Sequence, residues 1–121
     1  MAEDVTIDPW SANQSTDYSR IIEQFGLSTV DLSAIPNPHM LHRRGIIFSH
    51  RDLDLVLGAH RVGDPFGVLT GLMPSGRMHL GHKMVIDQVK WFQEHGADVT
   101  IAVADLEAHA TRGLSLEECR T

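Results

Sequence analysis

Two histidines, His79 and His82, stand three residues apart on either side of Gly81, just after the turn-forming triplet at 74–76. Residues at this spacing share one face of a helix, so the imidazoles could bind a metal, pack in a core or donate hydrogen bonds to a phosphate. No carboxylate completes an H-E-x-x-H motif, and no third ligand is suitably spaced. We therefore predict no metal site here.

Glycines precede the histidine pair at a spacing that resembles a nucleotide-binding loop. Gly71 and Gly76 are separated by four residues, as in G-x-x-x-x-G-K-[ST]. Arg77 and Met78 occupy the lysine and hydroxyl positions, so the hydroxyl that binds Mg²⁺ is missing. The G-x-G-x-x-G fingerprint is also absent, so the segment matches neither glycine-rich phosphate loop.

The elements around the pair predict a βαβ unit. Residues 67–72 form a short apolar run, 79–95 follow a helical pattern ended by Gly96, and 99–104 are apolar on both faces, as expected of a buried parallel strand. The pair then lies between the carboxyl end of a strand and the start of a helix, where α/β proteins bind ligands and free N–H groups attract anions. This position favours a phosphate ligand, with ordinary helix-start residues as the alternative.

The first half of the sequence predicts mainly helices. Tyr18, Ile21, Ile22 and Phe25 recur at helical spacing, with a cap at Ser15 or Thr16 and a stop at Gly26. A brief strand is expected at 46–48. A capping box at Ser49 and Asp52 predicts a second helix that reaches Gly58. Trp91, on the long helix of the second half, is expected to pack in the core or at an interface.

The C-terminal residues predict an element that needs support. Ser115 and Glu118 form an S-x-x-E capping box for a helix near Leu116, and Thr121 follows after about one and a half turns. So short a helix is not independently stable, and a two-stranded parallel sheet has open edges. We expect the chain to be the N-terminal piece of a longer protein or to need a partner.

Composition excludes several classes of protein. The 121 residues are 42% hydrophobic and 21% charged, which predicts a globular chain of one-domain length. A net charge of −6 argues against broad, non-specific nucleic-acid binding. No apolar run predicts a membrane span, and the acidic N-terminus lacks the features of a signal peptide. The single Cys119 excludes an internal disulfide and fits a cytoplasmic location.

The segment 74–82 resembles a known signature. His79-Leu-Gly-His82 is similar to the HIGH motif of class I aminoacyl-tRNA synthetases. It follows P-S-G, lies between a predicted strand and helix, and precedes V-T-I-A-V-A-D-L-E at 99–107, as in the tyrosyl and tryptophanyl enzymes. Residues 67–120 resemble both families.

The N-terminal residues favour one of the two families. Four segments resemble the N-terminal region of archaeal and eukaryotic-type tryptophanyl-tRNA synthetases, which tyrosyl enzymes generally lack: Asp8-Pro-Trp10, Asp17-Tyr18, 22–26 and 48–52. The resemblance implies an α/β fold with a Rossmann-like, HUP-type βαβ core at 65–121, incomplete at its C-terminus, after a mainly helical extension at 1–64. It also implies that the dimer interface, KMSKS loop and anticodon-binding domain lie beyond the chain.

The resemblance implies ligands and site residues. The substrates would be ATP with Mg²⁺, tryptophan and tRNA-Trp, and the full-length protein would be a homodimer. His79 and His82 would contact the ATP phosphates and stabilise the pentacovalent centre, while Gly81 would let the adenine lie close. The other ATP-binding positions would be Gly71, Pro74, Ser75 and Gly76. The residues themselves agree, because such a reaction needs positioning and electrostatics but no protein nucleophile.

The amino-acid pocket departs from the family pattern. Leu69 and Ala102 stand where family members often carry Tyr and Gln. Asp105 and Glu107 match the acidic end of the second strand, with Glu107 the better substrate contact and helix capping or solvation the alternative for both. These departures leave open a tyrosine–tRNA ligase, while a non-catalytic ATP-binding paralogue is a further alternative. Without KMSKS, the chain alone is expected to be inactive or very slow.

Overall fold

The computed structural model describes residues 18–120 of the chain. These residues belong to two compact units that meet in sequence between Leu57 and Gly58. The expected cap at Ser15 or Thr16 and the Asp8–Trp10 segment lie outside the described residues. Among residues 18–120, no helix combines the length and the apolar character needed to cross a membrane.

The first unit contains short elements. They are α1 (Tyr18–Gln24), β1 (Ser28–Thr29), α2 (Met40–Arg43), β2 (Ser49–His50) and the start of α3 (Leu53–Val62). Helix α1 ends before Gly26, which has a φ of +59°, so the predicted stop is confirmed. Strands β1 and β2 pair antiparallel, with Ser28 opposite His50 and Thr29 opposite Ser49.

The predicted strand at 46–48 is wrong by about two residues. The backbone N–H groups of Ile46 and Ile47 both donate to the carbonyl oxygen of Leu41, at 3.0 and 3.2 Å. These bonds close the end of α2, so the two N–H groups are not available to a β-ladder. Pairing therefore begins only at Ser49.

Helix α3 differs from its prediction at both ends. It continues past Gly58 and ends at Val62, just before Gly63 with its φ of +76°. The side chain at the start of α3 that accepts a backbone hydrogen bond is His50, whose Nδ1 lies 3.2 Å from the N–H of Leu53. Asp52 instead adopts a φ of +60°, so the predicted box of Ser49 and Asp52 does not form.

The second unit is the predicted βαβ arrangement with two further helices. It contains β3 (Gly67–Leu72), α4 (Leu80–Glu94), β4 (Asp98–Val103), α5 (Asp105–Arg112) and α6 (Leu116–Arg120). Strands β3 and β4 pair in parallel, in register from Gly67 opposite Asp98 to Leu72 opposite Val103. The strand, helix and parallel strand predicted from periodicity are confirmed.

The core of this unit is built on α4. Trp91 is only 5% exposed. Its ring centroid lies 4.3 Å from the ring centroid of His95 and 4.9 Å from that of Phe92. His60 Nδ1 lies 3.0 Å from the carbonyl oxygen of His95, which ties α3 to the end of α4. The expectation that Trp91 packs in the core is confirmed.

Strand β4 is not buried on both faces, contrary to the prediction. Val103 is 63% exposed, and Ile101 is also exposed. These two residues lie opposite Leu72 and Thr70 on the same face of the sheet, where the β3 residues are half-buried. The helices of this unit leave that end of the strand uncovered. The apolar residues of this segment therefore predicted the strand, but they did not predict how much of it is exposed.

The C-terminal capping box is confirmed. The Glu118 carboxylate accepts bonds from the N–H and hydroxyl of Ser115 at 2.9 and 2.7 Å, and the Ser115 hydroxyl oxygen accepts from the Glu118 N–H at 3.2 Å. The backbone bond from Ser115 is the main reason that the pKa of Glu118 lies below its usual value. Arg120 Nε then reaches Asp105 at 2.7 Å, which joins α6 to α5.

Candidate functional site

The site lies where β3 ends and α4 begins. Residues 73–78 connect the two elements, and the N–H of Ser75 bonds to the carbonyl oxygen of Met73 at 2.9 Å in a tight turn. Ser75 and Gly76 are exposed and Pro74 is half-buried. Gly71 is the second-last residue of β3, so all four glycine and turn positions predicted for ATP lie next to the histidine pair in the chain.

His79 and His82 cap α4 reciprocally. Nδ1 of His79 accepts from the N–H of Gly81 at 3.1 Å, and Nδ1 of His82 accepts from the N–H of His79 at 3.3 Å. Two imidazoles thus perform the task that Ser and Glu share in an ordinary capping box. Their ring centroids are 4.0 Å apart at an angle of 44°.

The caps determine which ring nitrogen carries the proton. An Nδ1 atom that accepts a hydrogen bond has no proton, so each neutral ring carries its proton on Nε2. Neither Nε2 atom of the pair has a protein partner within residues 18–120. His79 is exposed and His82 is half-buried. The pair therefore offers two N–H donors to a ligand at the carboxyl end of β3.

Gly81 is required by the position of the His79 ring. A Cβ atom at residue 81 would lie 3.0 Å from Cε1 and 3.1 Å from Nδ1 of His79. Such distances are tighter than ordinary van der Waals contact, so a side chain would displace the ring or strain the helix start. The glycine of H-x-G-H thus makes room for the first histidine of the motif.

A second pair of histidines forms the same cap in the first unit. Nδ1 of His39 accepts from the N–H of Leu41 at 3.2 Å, and Nδ1 of His42 accepts from the N–H of His39 at 3.1 Å. His42 is only 5% exposed, so this pair is part of the protein interior. Sequence reasoning missed it, although the H-x-x-H spacing after Pro38 was a visible signal.

The amino-acid candidates on the strands share one sheet face. Leu69 lies opposite Thr100, and Gly71 lies opposite Ala102. Both pairs lie on one face of the sheet, because the pairs between them belong to the other, half-buried face. Leu69 is 76% exposed. The parallel register therefore brings the two positions that depart from the family pattern, Leu69 and Ala102, onto the same open surface.

The two carboxylates behave differently. Asp105 begins α5, where Oδ1 accepts from the N–H of Leu106 at 2.8 Å and Oδ2 accepts from Arg120 at 2.7 Å. The hydrogen bond from Arg120 is the main reason that the pKa of Asp105 is lowered. Glu107 is exposed, and its carboxylate has no partner within residues 18–120. Asp105 is thus engaged within the chain, whereas Glu107 is available to a ligand.

Comparisons with known proteins match this arrangement. The family model described as class I tRNA synthetases (W and Y) matches residues 61–120. The chain is 50% identical to a tryptophan–tRNA ligase of Methanosarcina acetivorans over 119 residues, which are 97% of this chain and 27% of the relative. It is 45% identical to tryptophan–tRNA ligase 1 of Halobacterium salinarum, covering 97% of this chain and 23% of that relative.

Solved structures agree. The tryptophanyl-tRNA synthetase of Aeropyrum pernix superposes with a TM-score of 0.79 at 42% identity, over 94% of this chain and 33% of the other. The enzyme of Plasmodium falciparum gives 0.78 at 33% identity, over 86% of this chain and 32% of the other. These likenesses confirm the predicted α/β, Rossmann-like class.

The chain belongs to the class I aminoacyl-tRNA synthetases, a family of aminoacyl-tRNA ligases. Within that family, the relatives and solved structures that it resembles are all tryptophanyl enzymes. The comparisons do not support the tyrosine alternative that the departures at Leu69 and Ala102 had left open. The chain spans about a quarter of the length of the curated relatives it matches.

Proposed function

We propose that the protein carrying this chain is a tryptophan–tRNA ligase of the cytoplasm. It activates tryptophan with ATP to the adenylate, transfers the amino acid to tRNA-Trp and acts as a homodimer. Residues 65–121 would begin its catalytic domain and residues 1–64 would precede that domain. The observation that carries the proposal is the pair of Nε2–H donors at the end of β3, which have no partner in the described part of the chain.

These donors suit adenylate formation. An oxygen of the tryptophan carboxylate attacks the α-phosphorus of ATP, the bond to the α–β bridging oxygen breaks, and its electron pair leaves with pyrophosphate. Negative charge shifts onto the phosphate oxygens as this happens, and preorganised N–H donors stabilise such charge. His79 and His82 would act in this way, and no residue of the chain needs to form a covalent bond.

The neighbouring residues would hold the rest of ATP. Gly71, Pro74, Ser75 and Gly76 would line the phosphate and ribose side of the nucleotide, next to the helix start. No group of three or more His, Cys, Asp or Glu within residues 18–120 has the geometry to hold a metal ion. Mg²⁺ would therefore arrive with ATP, where it neutralises phosphate charge, and would take no full ligand set from this part of the chain.

Tryptophan would lie on the open face of β3 and β4. Leu69 offers an apolar surface there. Glu107 has an unpartnered carboxylate at the start of α5, which could accept a hydrogen bond from the ammonium or indole N–H. Asp105 is the weaker of the two carboxylate candidates, because both of its oxygens already accept bonds within the chain.

Two substitutions separate phosphate binding from helix capping. Asn at an N-cap and Gln at the third helical position both retain capping hydrogen bonds. In the complete gene product that carries this chain, we expect His79→Asn and His82→Gln each to slow tryptophan-dependent ATP–pyrophosphate exchange about a hundred- to a thousandfold. The thermal midpoint should change little, because the caps remain.

His39→Asn is the matched control, since it preserves the same kind of cap at α2. We expect its exchange rate to equal that of the parent protein. Tryptophan should support exchange and tyrosine should not. Undiminished exchange in His82→Gln would refute the assigned role, and no exchange with either amino acid in the parent protein would indicate the non-catalytic paralogue instead.

A further inference from the structure

Arg77 is an exposed cation in the connection between β3 and α4. It lies two residues before the N-cap His79 and has no hydrogen-bond or ion-pair partner within residues 18–120. The connection is anchored on both sides, by the end of β3 and by the reciprocal cap of α4. Arg77 therefore stands two residues before the histidine pair in the chain and is free of partners among the described residues.

The histidine pair creates a need for such a cation. Because Nδ1 of each ring accepts a backbone hydrogen bond, the pair presents oriented Nε2–H groups to a ligand. A nucleoside triphosphate carries several negative charges. Two N–H donors and a helix start attract it through partial charges, which leave most of that charge uncompensated.

The two lysines of α4 are already paired. Lys83, in the first turns of α4, forms an ion pair with Asp87 one turn later. Lys90 pairs with Glu94 at 3.6 Å, far along the same helix. Among the residues from the end of β3 through the first turn of α4, only Arg77 combines a full positive charge with freedom to meet a ligand.

We propose that Arg77 binds the triphosphate of ATP and supplies a full positive charge beside the two imidazole donors. The inference rests on the proposed function, because it assumes that the histidine pair faces ATP. Guanidinium remains charged at any accessible pH and can donate two parallel hydrogen bonds to phosphate oxygens. An exposed charge of this kind holds the phosphates both before and during reaction, so its main effect is on ATP affinity.

The test compares ATP saturation in variants of the complete gene product. Arg77→Ala should raise the KM for ATP about tenfold, which corresponds to about 1.4 kcal/mol of binding free energy, while kcat changes less. Arg77→Lys should recover most of the affinity, because it restores the charge. The KM of the parent protein should rise with added salt, and Arg77→Ala should flatten that dependence, since screening acts on exposed charges.

Arg112→Ala is the matched control, because Arg112 is another exposed arginine of the same unit without a partner in the described chain. It should leave both the KM and its salt dependence unchanged. Calorimetric titration with ATP gives a second measurement that does not depend on turnover. Equal ATP affinity in the parent protein and Arg77→Ala would overturn the inference, as would an effect confined to the KM for tRNA.

The two proposals fail in different ways. If exchange is present and sensitive to His82→Gln but not to Arg77→Ala, the inference is wrong and the proposed function stands. If the parent protein supports no tryptophan-dependent exchange yet loses ATP affinity in Arg77→Ala, the proposed function is wrong and the phosphate contact stands. A parent protein that binds no ATP would overturn both.

Discussion

His42 and His82 each accept a backbone N–H at Nδ1, three residues after another histidine, yet only one of them faces a potential ligand. His42 is almost completely buried, so its cap stabilises the interior of the first unit. His82 and its partner His79 lie at the end of a parallel strand with their Nε2 atoms unpartnered. Spacing predicts a cap in both places, and burial decides which pair can act on a substrate.

Gly81→Ala tests whether the position of the His79 ring matters. A Cβ atom here would come within 3.0–3.1 Å of that ring, so we expect the ring to shift and the exchange rate to fall by at least tenfold, about 1.4 kcal/mol. Alanine is a better helix former than glycine by about 1 kcal/mol. The free energy of unfolding should therefore fall by less than the loss of about 1.4 kcal/mol expected in the exchange reaction. Exchange at the parental rate would contradict the role given to the ring.

Gly58→Ala is the control for that experiment. Gly58 lies inside α3, and an added Cβ would meet nothing within 4 Å. Alanine should therefore stabilise the protein by about 0.5–1 kcal/mol without changing the exchange rate. Chemical denaturation measures the first quantity and the exchange assay the second.

At the scale of elements, several observed boundaries differ from those that local signals predicted. Gly58 suggested a stop, but α3 continues for four more residues because a glycine only weakens a helix interior. The helix at 105–112 was anticipated only as the helix-capping alternative for Asp105 and Glu107. Its N-cap is Ala104, which has no side chain to accept a hydrogen bond, so the usual start signal is missing. Strand β3 matched its predicted bounds because both ends carry clear signals.

The contact between α5 and α6 should depend on pH. Hydrogen bonding to Arg120 lowers the pKa of Asp105 from its ordinary value of 3.8, so the ionised form is favoured in the folded protein. The resulting stabilisation is complete above that ordinary value and is lost as the pH falls through the lowered pKa. We expect amides of α6 to lose protection from hydrogen exchange over this acidic range.

Asp105→Asn should remove most of that pH dependence and weaken α6 at neutral pH. A smaller dependence of the same sign should remain, because the Ser115 N–H also lowers the pKa of Glu118. The Arg120→Lys variant retains a cation and should keep part of the effect. Protection of α6 that does not change between neutral and acidic pH would contradict this account.

At the scale of the whole molecule, apolar side chains near the end of β4 are exposed. Val103 and Leu106 are 63% and 65% exposed. We expect Val103→Thr and Leu106→Gln each to change the free energy of unfolding by less than about 0.5 kcal/mol and to reduce binding of a hydrophobic dye by the 121-residue chain. Unfolding in denaturant and dye fluorescence measure the two effects.

Val89→Thr is the matched substitution in the core. Val89 is 7% exposed, so the new hydroxyl would be buried and the loss should be about 1–3 kcal/mol. A comparable loss in Val103→Thr would mean that the exposed end of β4 is packed in solution. Unchanged dye binding in both surface variants would mean that these side chains do not form the apolar surface.

The sequence by itself determined the strand, helix and parallel strand, the cap at Ser115 and the family, because periodicity, turn residues and local motifs act over a few neighbouring residues. Only the tertiary structure decided that Asp105 is engaged by Arg120 and that β4 is open. It also decided that Nδ1 of each histidine of the pair accepts a backbone N–H, which leaves Nε2 for a ligand. Burial and hydrogen-bond partners depend on residues distant in the chain, and local spacing does not encode them.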